Sequence, residues 1–464
     1  MGSAESIAVA ASAEQPVGDS KLLKAHQSAI GIAMLLSVFA IFVSFGLHGM
    51  TDAKYSMLVS ENLLRRHSLV IDERSMPRRE PFALPGYTAN GYPYQIEVRN
   101  GKRLYRYPVG SSVLSIPIVV LMNIFGISAH TPDGAYNEDG ERDIQRALAA
   151  LLMAVLTVVF FRTALLLLPL SWSVVLALGG GFSTQIWSTA SRVLWSHTWQ
   201  ILLLGLTIYM LLAQEERQDR GRPVVLATLL SWAYFVRPTS SIPVIAISAY
   251  MFIFRRREFA ALAIAGAAWM VVFVACSWKL SGQPLPSYYL FHLSSRHLWE
   301  ALAGDLVSPS RGLFVYVPGS AFALLLVAYY WRELSHRRLA VLSLSVITVH
   351  LFVVSTDPNW WGGHCYGARL MTDVIPWFFL LAILGSRCLV GESPSRLKHL
   401  IVALGLLSLV VGAAMNERGA LSQSANDWVN GPPEDVDQKP ARVWDWSNPQ
   451  FLSELRFMER HRAS

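Results

Sequence analysis

Charge is almost absent from the middle of this chain's apolar runs, and that constrains its fold more than any motif does. Runs long enough to cross a bilayer recur through residues 30–415, while the longest polar stretches lie at about 48–146 and 416–464. A hydrocarbon core takes about 20 consecutive apolar residues per helix. A chain that is 53% apolar supplies many such stretches. Reactive side chains kept in loops on one face are arranged for chemistry at a membrane surface, not for carrying a solute through the middle.

The net charge of +7 follows topology. Lys and Arg collect in short cytoplasmic loops. Lys21 and Lys24 precede the first run and place the N-terminus inside. Counting forward, the inside loops hold Arg162; Arg217, Arg220 and Arg222; Arg255, Arg256 and Arg257; Arg332, Arg337 and Arg338; and Arg387, Arg396 and Lys398. The outside loops hold only the scattered Arg192, Arg237, Lys279, Arg296, Arg311 and Arg369. The pattern leaves no basic stripe for nucleic acid. Cys276, Cys365 and Cys388 form no paired spacing, so neither a disulfide framework nor a zinc motif is expected.

The expected fold is therefore an all-α integral membrane protein with about eleven transmembrane helices. They are placed at 29–47, 146–164, 171–187, 195–213, 223–237, 241–254, 259–277, 313–331, 339–355, 371–389 and 400–415. Residues 1–28 form a cytoplasmic tail, disordered before Lys21, and the first run is an uncleaved signal anchor. Residues 29–415 are expected to form the transmembrane domain, with 48–145 as a first loop on the outer face, and 416–464 a tail on that same face. The run 109–127 is interrupted by Gly110, Ser111, Ser112 and Pro117. Counting it as a span would put Arg255, Arg256 and Arg257 outside, so it is read as an interfacial or re-entrant helix. Residues 53–69 read as a surface helix, and 86–107 as a hairpin. No internal repeat of broken helices stands out.

Three constellations on the outer face could carry chemistry. Thr51-Asp52-Ala53-Lys54-Tyr55 follows the first span directly. An acid there can meet a lipid head group while staying wet, yet Asp also ends helices and caps the next one, and position alone favours that plainer role. Arg103-Leu104-Tyr105-Arg106-Tyr107-Pro108 leads into the interfacial helix. Arg beside aromatics suits a phosphate, but Tyr and Arg also anchor proteins at head-group depth. The third is Asp357-Pro358-Asn359-Trp360-Trp361-Gly362-Gly363-His364-Cys365-Tyr366-Gly367-Ala368-Arg369. Paired Trp, glycines, His and Arg in one loop exceed what anchoring requires, because aromatic faces pack on sugar rings and cations meet phosphates.

These residues resemble the GT-C membrane glycosyltransferases that use polyprenyl-phosphate sugars, in a bacterial branch. The resemblance rests on Thr51-Asp52 at the end of the first helix and on the Tyr/Arg-Tyr-Pro-x-Gly segment through Gly110. Further motifs follow in the family's order: Thr184-Gln185-Ile186-Trp187 with Arg192 and Trp195; Val236-Arg237-Pro238-Thr239; Gly282-Gln283-Pro284; and Ser308-Pro309-Ser310-Arg311-Gly312-Leu313. Trp360-Trp361-Gly362-Gly363 through Gly367-Ala368-Arg369-Leu370 and Arg442-Val443-Trp444-Asp445-Trp446 complete the series.

The resemblance implies a hexosyl- or pentosyltransferase in the bacterial inner membrane, with its active site facing the periplasm. Its donor would be a polyprenyl-phosphate sugar, its acceptor a cell-envelope glycan, lipid or protein, and its outcome inversion. Asp52 is the expected catalytic base. Arg106, Tyr107, Arg237, Arg311 and Arg369 are expected at the donor phosphate, and Trp360, Trp361, His364 and Tyr366 at sugar or acceptor. Many relatives carry a second acid where this chain has Ala53, so no obligatory metal is expected. Two other classes compete. A transporter or flippase would need polar groups inside spans, where His350 and Gln185 come nearest. A non-catalytic subunit of polysaccharide assembly would keep the fold without the acid and the cation.

Overall fold

The computed structural model describes residues 17–44, 49–76, 88, 91–218, 221–290, 294–431 and 434–453. Helices α1 (Val17–Ser44), α2 (Ser56–Arg66), α3 (Gly110–Ile124), α4 (Glu138–Ala164), α5 (Leu170–Phe182), α6 (Ser196–Arg217), α7 (Pro223–Val236) and α8 (Ser241–Phe254) make the first half. In the second half come α9 (Arg256–Ser281), α10 (Leu298–Val307), α11 (Leu313–Tyr316), α12 (Pro318–Tyr329), α13 (Arg337–Ser355), α14 (Ile375–Gly391), α15 (Arg396–Leu421) and α16 (Gln423–Asp427). The protein is an all-α, multi-pass membrane protein. Among the described residues, seven helices are long and apolar enough to cross a membrane: α1, α4, α6, α9, α13, α14 with the turn before it, and α15.

Burial sorts these helices into layers. Of the most apolar window of each, 67% is buried in α4, and 72% in α6 and in α14, against 6% in α9 and in α15. The first three form the bundle's centre, and the last two turn almost all their apolar surface outward, as lipid-facing helices do. Local chemistry sets the ends. Asn137 caps α4 by accepting from the Gly140 N–H at 3.2 Å, and Glu138, Asp139 and Glu141 fill its first turn, where the helix dipole favours anions.

Several expected spans differ in detail. The run 171–187 is not one helix: α5 stops at Phe182, and a π-turn follows at Ile186–Ala190. The Ser183 hydroxyl, at the break, donates to the Leu409 carbonyl of α15 at 2.7 Å. The run 313–331 is split by Pro318, whose ring cannot continue α11 and instead opens α12. Helix α1 starts at Val17, inside the region expected as a tail, and α15 runs past 415 to Leu421. Residues 1–16, expected to be disordered, lie outside the described residues.

A small polar cap sits at one end of the bundle. Strands β1 (Val70–Ile71), β2 (Ile96–Arg99) and β3 (Lys102–Tyr105) pair antiparallel in the order β1-β3-β2, with Val70 opposite Leu104 and Ile96 opposite Tyr105. Asn100 and Gly101, both at positive φ (50° and 72°), turn the β2–β3 hairpin expected within 86–107. Residues 86, 87, 89 and 90 of that stretch lie outside the described residues. Helix α2 is not the surface helix the sequence pattern indicates. Its residues 56–62 are all buried, including Glu61 and Asn62. Glu61 is satisfied where it lies: the Ala129 N–H and the Ser128 hydroxyl donate to it, both at 2.8 Å, and His130 Nδ1 stands 2.8 Å away.

Helix α3, the expected interfacial helix, has 15 residues, short of a full crossing. It is held against the end of α7 at Gly110, where a Cβ would stand 2.4 Å from the Phe235 carbonyl oxygen. Gly110→Val should therefore force α3 from α7 and destabilise the fold by about 1–3 kcal/mol. Thermal unfolding of the purified variant in detergent measures this; an unchanged midpoint would show that α3 is not seated there.

Candidate active site at the capped end

The segment after α1 is positioned from below. Arg146 Nε donates to the Val43 carbonyl at 2.7 Å and Arg192 Nη1 to the Phe42 carbonyl at 3.2 Å, so two guanidiniums satisfy the orphan carbonyls at the end of α1. Glu141 of α4 is fully buried and accepts from the backbone N–H groups of Tyr55 (3.0 Å) and Met57 (2.9 Å), capping α2 in trans. Gln145, one turn on, donates to the Ala53 carbonyl at 2.9 Å. The cap sheet grips the same loop from above: Gln95 Nε2 donates to the Thr51 carbonyl at 2.9 Å and the Tyr105 hydroxyl to the Asp52 carbonyl at 2.5 Å. With its backbone fixed on both sides, Asp52 can aim only its carboxylate.

That carboxylate enters a cavity of about 1090 Å³. The Tyr107 hydroxyl donates to Asp52 Oδ1 at 2.7 Å, and Arg369 Nη1 lies 3.7 Å from Oδ2. The Asp52 side chain keeps 33% of its exposure, so it remains wet. Burial and the neighbouring Asp52 charge push the Tyr107 phenol far above the ordinary tyrosine range, and push Tyr94 up to about 12. Burial also raises Tyr105 and Tyr288. These phenols remain protonated donors around the acid.

Of the expected phosphate ligands, Arg106, Tyr107, Arg237 and Arg369 all line the cavity. Arg106 is exposed at its wall. Arg369 stacks on Trp195, its guanidinium carbon 4.3 Å from the ring centroid, and donates to the Gly362 carbonyl at 2.9 Å. Arg237 is held by Asp373: its Nε donates to Oδ2 at 2.7 Å, while Nη1 donates to Ser196 at 2.9 Å. Asp373 is itself buried, with His197 Nδ1 at 2.5 Å, the Thr239 hydroxyl donating at 2.8 Å and His350 Nε2 at 3.8 Å. His350, a polar group inside an apolar helix, thus serves this cluster and also lies 3.1 Å from the Leu370 carbonyl. Gln185 is fully buried.

Arg311 stands elsewhere. It is buried outside the cavity lining and donates to the carbonyls of Trp361 (2.6 Å), Ser310 (2.6 Å) and Gly363 (3.2 Å) and to Gln450 Oε1 (2.7 Å). It ties the Trp-Gly-Gly loop to the C-terminal segment. The expected sugar ligands divide likewise. Trp361 and His364 line the cavity, whereas Trp360 packs into a small core with Trp428, Val436 and Val443. Tyr366 is buried against Tyr316, its hydroxyl donating to the Met415 carbonyl at 2.7 Å. Ala53 packs with Val193 and Trp195 and lines the cavity beside Asp52. Asp357 of the third constellation also lines the wall, and Tyr94 and Tyr288 join it without having been singled out for it; the aromatic density of the cap was the available signal for the two tyrosines.

Asp305 is the other acid of note. It lies in α10, buried outside the cavity lining, and accepts from the Ser355 hydroxyl at 2.9 Å; burial pushes its carboxyl up to about 8. The folded state therefore holds a proton that the unfolded chain releases near pH 4, and stability falls as pH rises from about 4 to about 8. Asp305→Asn should flatten that part of the curve. Melting temperatures of wild type and variant between pH 5 and about 8 test it, and parallel curves would rule it out.

No family model matches the chain, and no curated protein matches it in sequence. Among solved structures the chain is similar to ArnT from Cupriavidus metallidurans in two states. Against ArnT bound to undecaprenyl phosphate the identity is 12% and the TM-score 0.45, over 85% of this chain and 71% of ArnT. Against apo ArnT they are 14% and 0.47, over 88% of this chain and 69% of ArnT. At such distance the likeness transfers no residue role.

Proposed function

We propose that the chain is a glycosyltransferase that moves a sugar from a polyprenyl-phosphate carrier to a cell-envelope acceptor, working at the periplasmic face of a bacterial inner membrane. The observation that carries the reading is a wet carboxylate, Asp52, set among protonated tyrosines and within 3.7 Å of Arg369 in a large cavity at the end of an apolar bundle. The basic-loop pattern of the sequence supports the orientation.

In this mechanism Asp52 takes the proton of an acceptor hydroxyl as its oxygen attacks the anomeric carbon. The bond from that carbon to the carrier phosphate breaks, and the electron pair leaves with the phosphate. A phosphate monoester is a good leaving group and needs no strong acid, so the demand falls on cations. Arg106, Arg237 and Arg369 line the cavity and would stabilise the charge that builds on the departing oxygen. Attack opposite the leaving group inverts the anomeric centre. Trp361 supplies an aromatic face for a sugar ring. Asp373 acts through Arg237, whose guanidinium it aims.

Asp52→Asn removes the base at nearly constant volume. It is expected to reduce transfer by about 10²–10⁴-fold with donor binding retained, measured with radiolabelled polyprenyl-phosphate sugars and a membrane acceptor extract. Near-wild-type transfer by the variant would place the base elsewhere, with Asp357 of the same cavity next in line. Label that stays on the carrier with every sugar tried would sink the transferase reading itself.

Arg106→Ala should weaken donor binding about tenfold or more, the worth of one charge-assisted hydrogen bond. Arg106→Lys should recover part of that, since a point charge replaces a planar fork. Equal binding by all three proteins would remove Arg106 from the phosphate site.

A further inference from the structure

The loop 357–369 and the C-terminal segment meet at the rim of the cavity, and three side chains converge there. His364 Nε2 lies 3.0 Å from Asp435 Oδ1, 2.9 Å from Asp435 Oδ2 and 3.7 Å from Asp437 Oδ2. One ligand atom from each residue falls within 4.8 Å of the others. Donors that share one ion at about 2.0–2.2 Å, at angles between square and tetrahedral, stand about 3–3.6 Å apart. The histidine–carboxylate separations are of that size, and the two carboxylates stand within 4.8 Å of each other.

A histidine–aspartate ion pair would account for the first contact alone. It does not account for the second carboxylate, which is aimed independently. Trp361 Nε1 donates to Asp437 Oδ1 at 2.8 Å and leaves Oδ2 facing the imidazole. The Asp437 backbone N–H donates to Asp435 Oδ1 at 2.8 Å and fixes the other carboxylate. Outer hydrogen bonds of this kind orient metal ligands. Gly363, at φ 65°, brings the backbone within 3.7 Å of the Asp437 carboxylate, measured from where its Cβ would stand. The side chains retain 37%, 23% and 52% of their exposure in chain order, so an ion reaches them from water.

We propose that His364, Asp435 and Asp437 bind a first-row divalent metal ion of the Zn²⁺ type and so fasten the C-terminal segment to the cavity's Trp-Gly-Gly-His loop. One imidazole nitrogen and two carboxylates suit such ions, whereas Mg²⁺ and Ca²⁺ prefer an all-oxygen shell. Three protein ligands leave the ion a further position for water, and His364 and Asp437 both belong to the cavity wall. The site is independent of the transfer reaction proposed above. It departs from the sequence expectation of no metal because its ligands are 71 residues apart, with no short motif to announce them.

The test uses the full-length chain purified in detergent, stripped with EDTA and titrated with Co²⁺, read by visible absorption. The expected result is a band that saturates at one equivalent and is displaced by Zn²⁺. It should be lost in His364→Gln and in Asp435→Asn, with both variants eluting as wild type does on gel filtration. Wild-type protein that takes up no stoichiometric Co²⁺, or His364→Gln that takes up as much as wild type, would leave an ion pair only and overturn the proposal. Should those variants fail to fold, Asp437→Asn at the most exposed ligand decides. Cobalt affinity about tenfold weaker supports the site, and unchanged affinity refutes it.

Discussion

A single buried carboxylate, Asp373, joins the elements that floor the cavity. It stands at the entry to α14, and its partners come from α6 (His197), from the turn after α7 (Arg237 and Thr239) and from α13 (His350). An uncompensated charge at that depth would cost several kcal/mol, and removing one partner of a buried pair typically costs about 3–5 kcal/mol. The four elements are therefore held in register by a requirement that none satisfies alone. Arg237 owes its orientation to this arrangement.

A second buried acid does the same for the catalytic candidate. Glu141 receives the first backbone N–H groups of α2, which obliges α2 to start where α4 passes and places the Asp52 loop over the bundle. Together the two carboxylates explain why the cavity lies at the end of the helices and not within them. Both are buried and taken up by structural hydrogen bonds, while Asp52 keeps its exposure.

Much of this was legible beforehand, and the exceptions have physical causes. Apolar runs announced the helices because a stretch of that length satisfies its own backbone in lipid as a helix, and the Gly, Tyr and Pro of 86–107 announced the hairpin, whose turn falls at Asn100-Gly101. Asp52, Arg106, Arg237 and Arg369 were found through short motifs and do converge on one cavity. Arg311 and Tyr366 carried equally suggestive neighbours but face into protein. Local sequence reports which groups sit in a loop; the direction each one faces is set by partners such as Gln450, 139 residues from Arg311. Helix α2 was misread for a related reason: its polar residues looked solvated, but Glu61 is paid for by Ser128, Ala129 and His130 from beyond α3.

The Arg311 tie bears on the order in which the molecule is completed during synthesis. The helices that frame the cavity precede residue 425 in the chain, yet Gln450 is what joins Arg311 to the backbone of Gly367 and Cys365. A nascent chain can have every one of those helices inserted, with Arg311 already on the Trp361 and Gly363 carbonyls, while the loop still lacks its tie to the C-terminal segment. That wall of the cavity is completed only after the segment carrying Gln450 has been made.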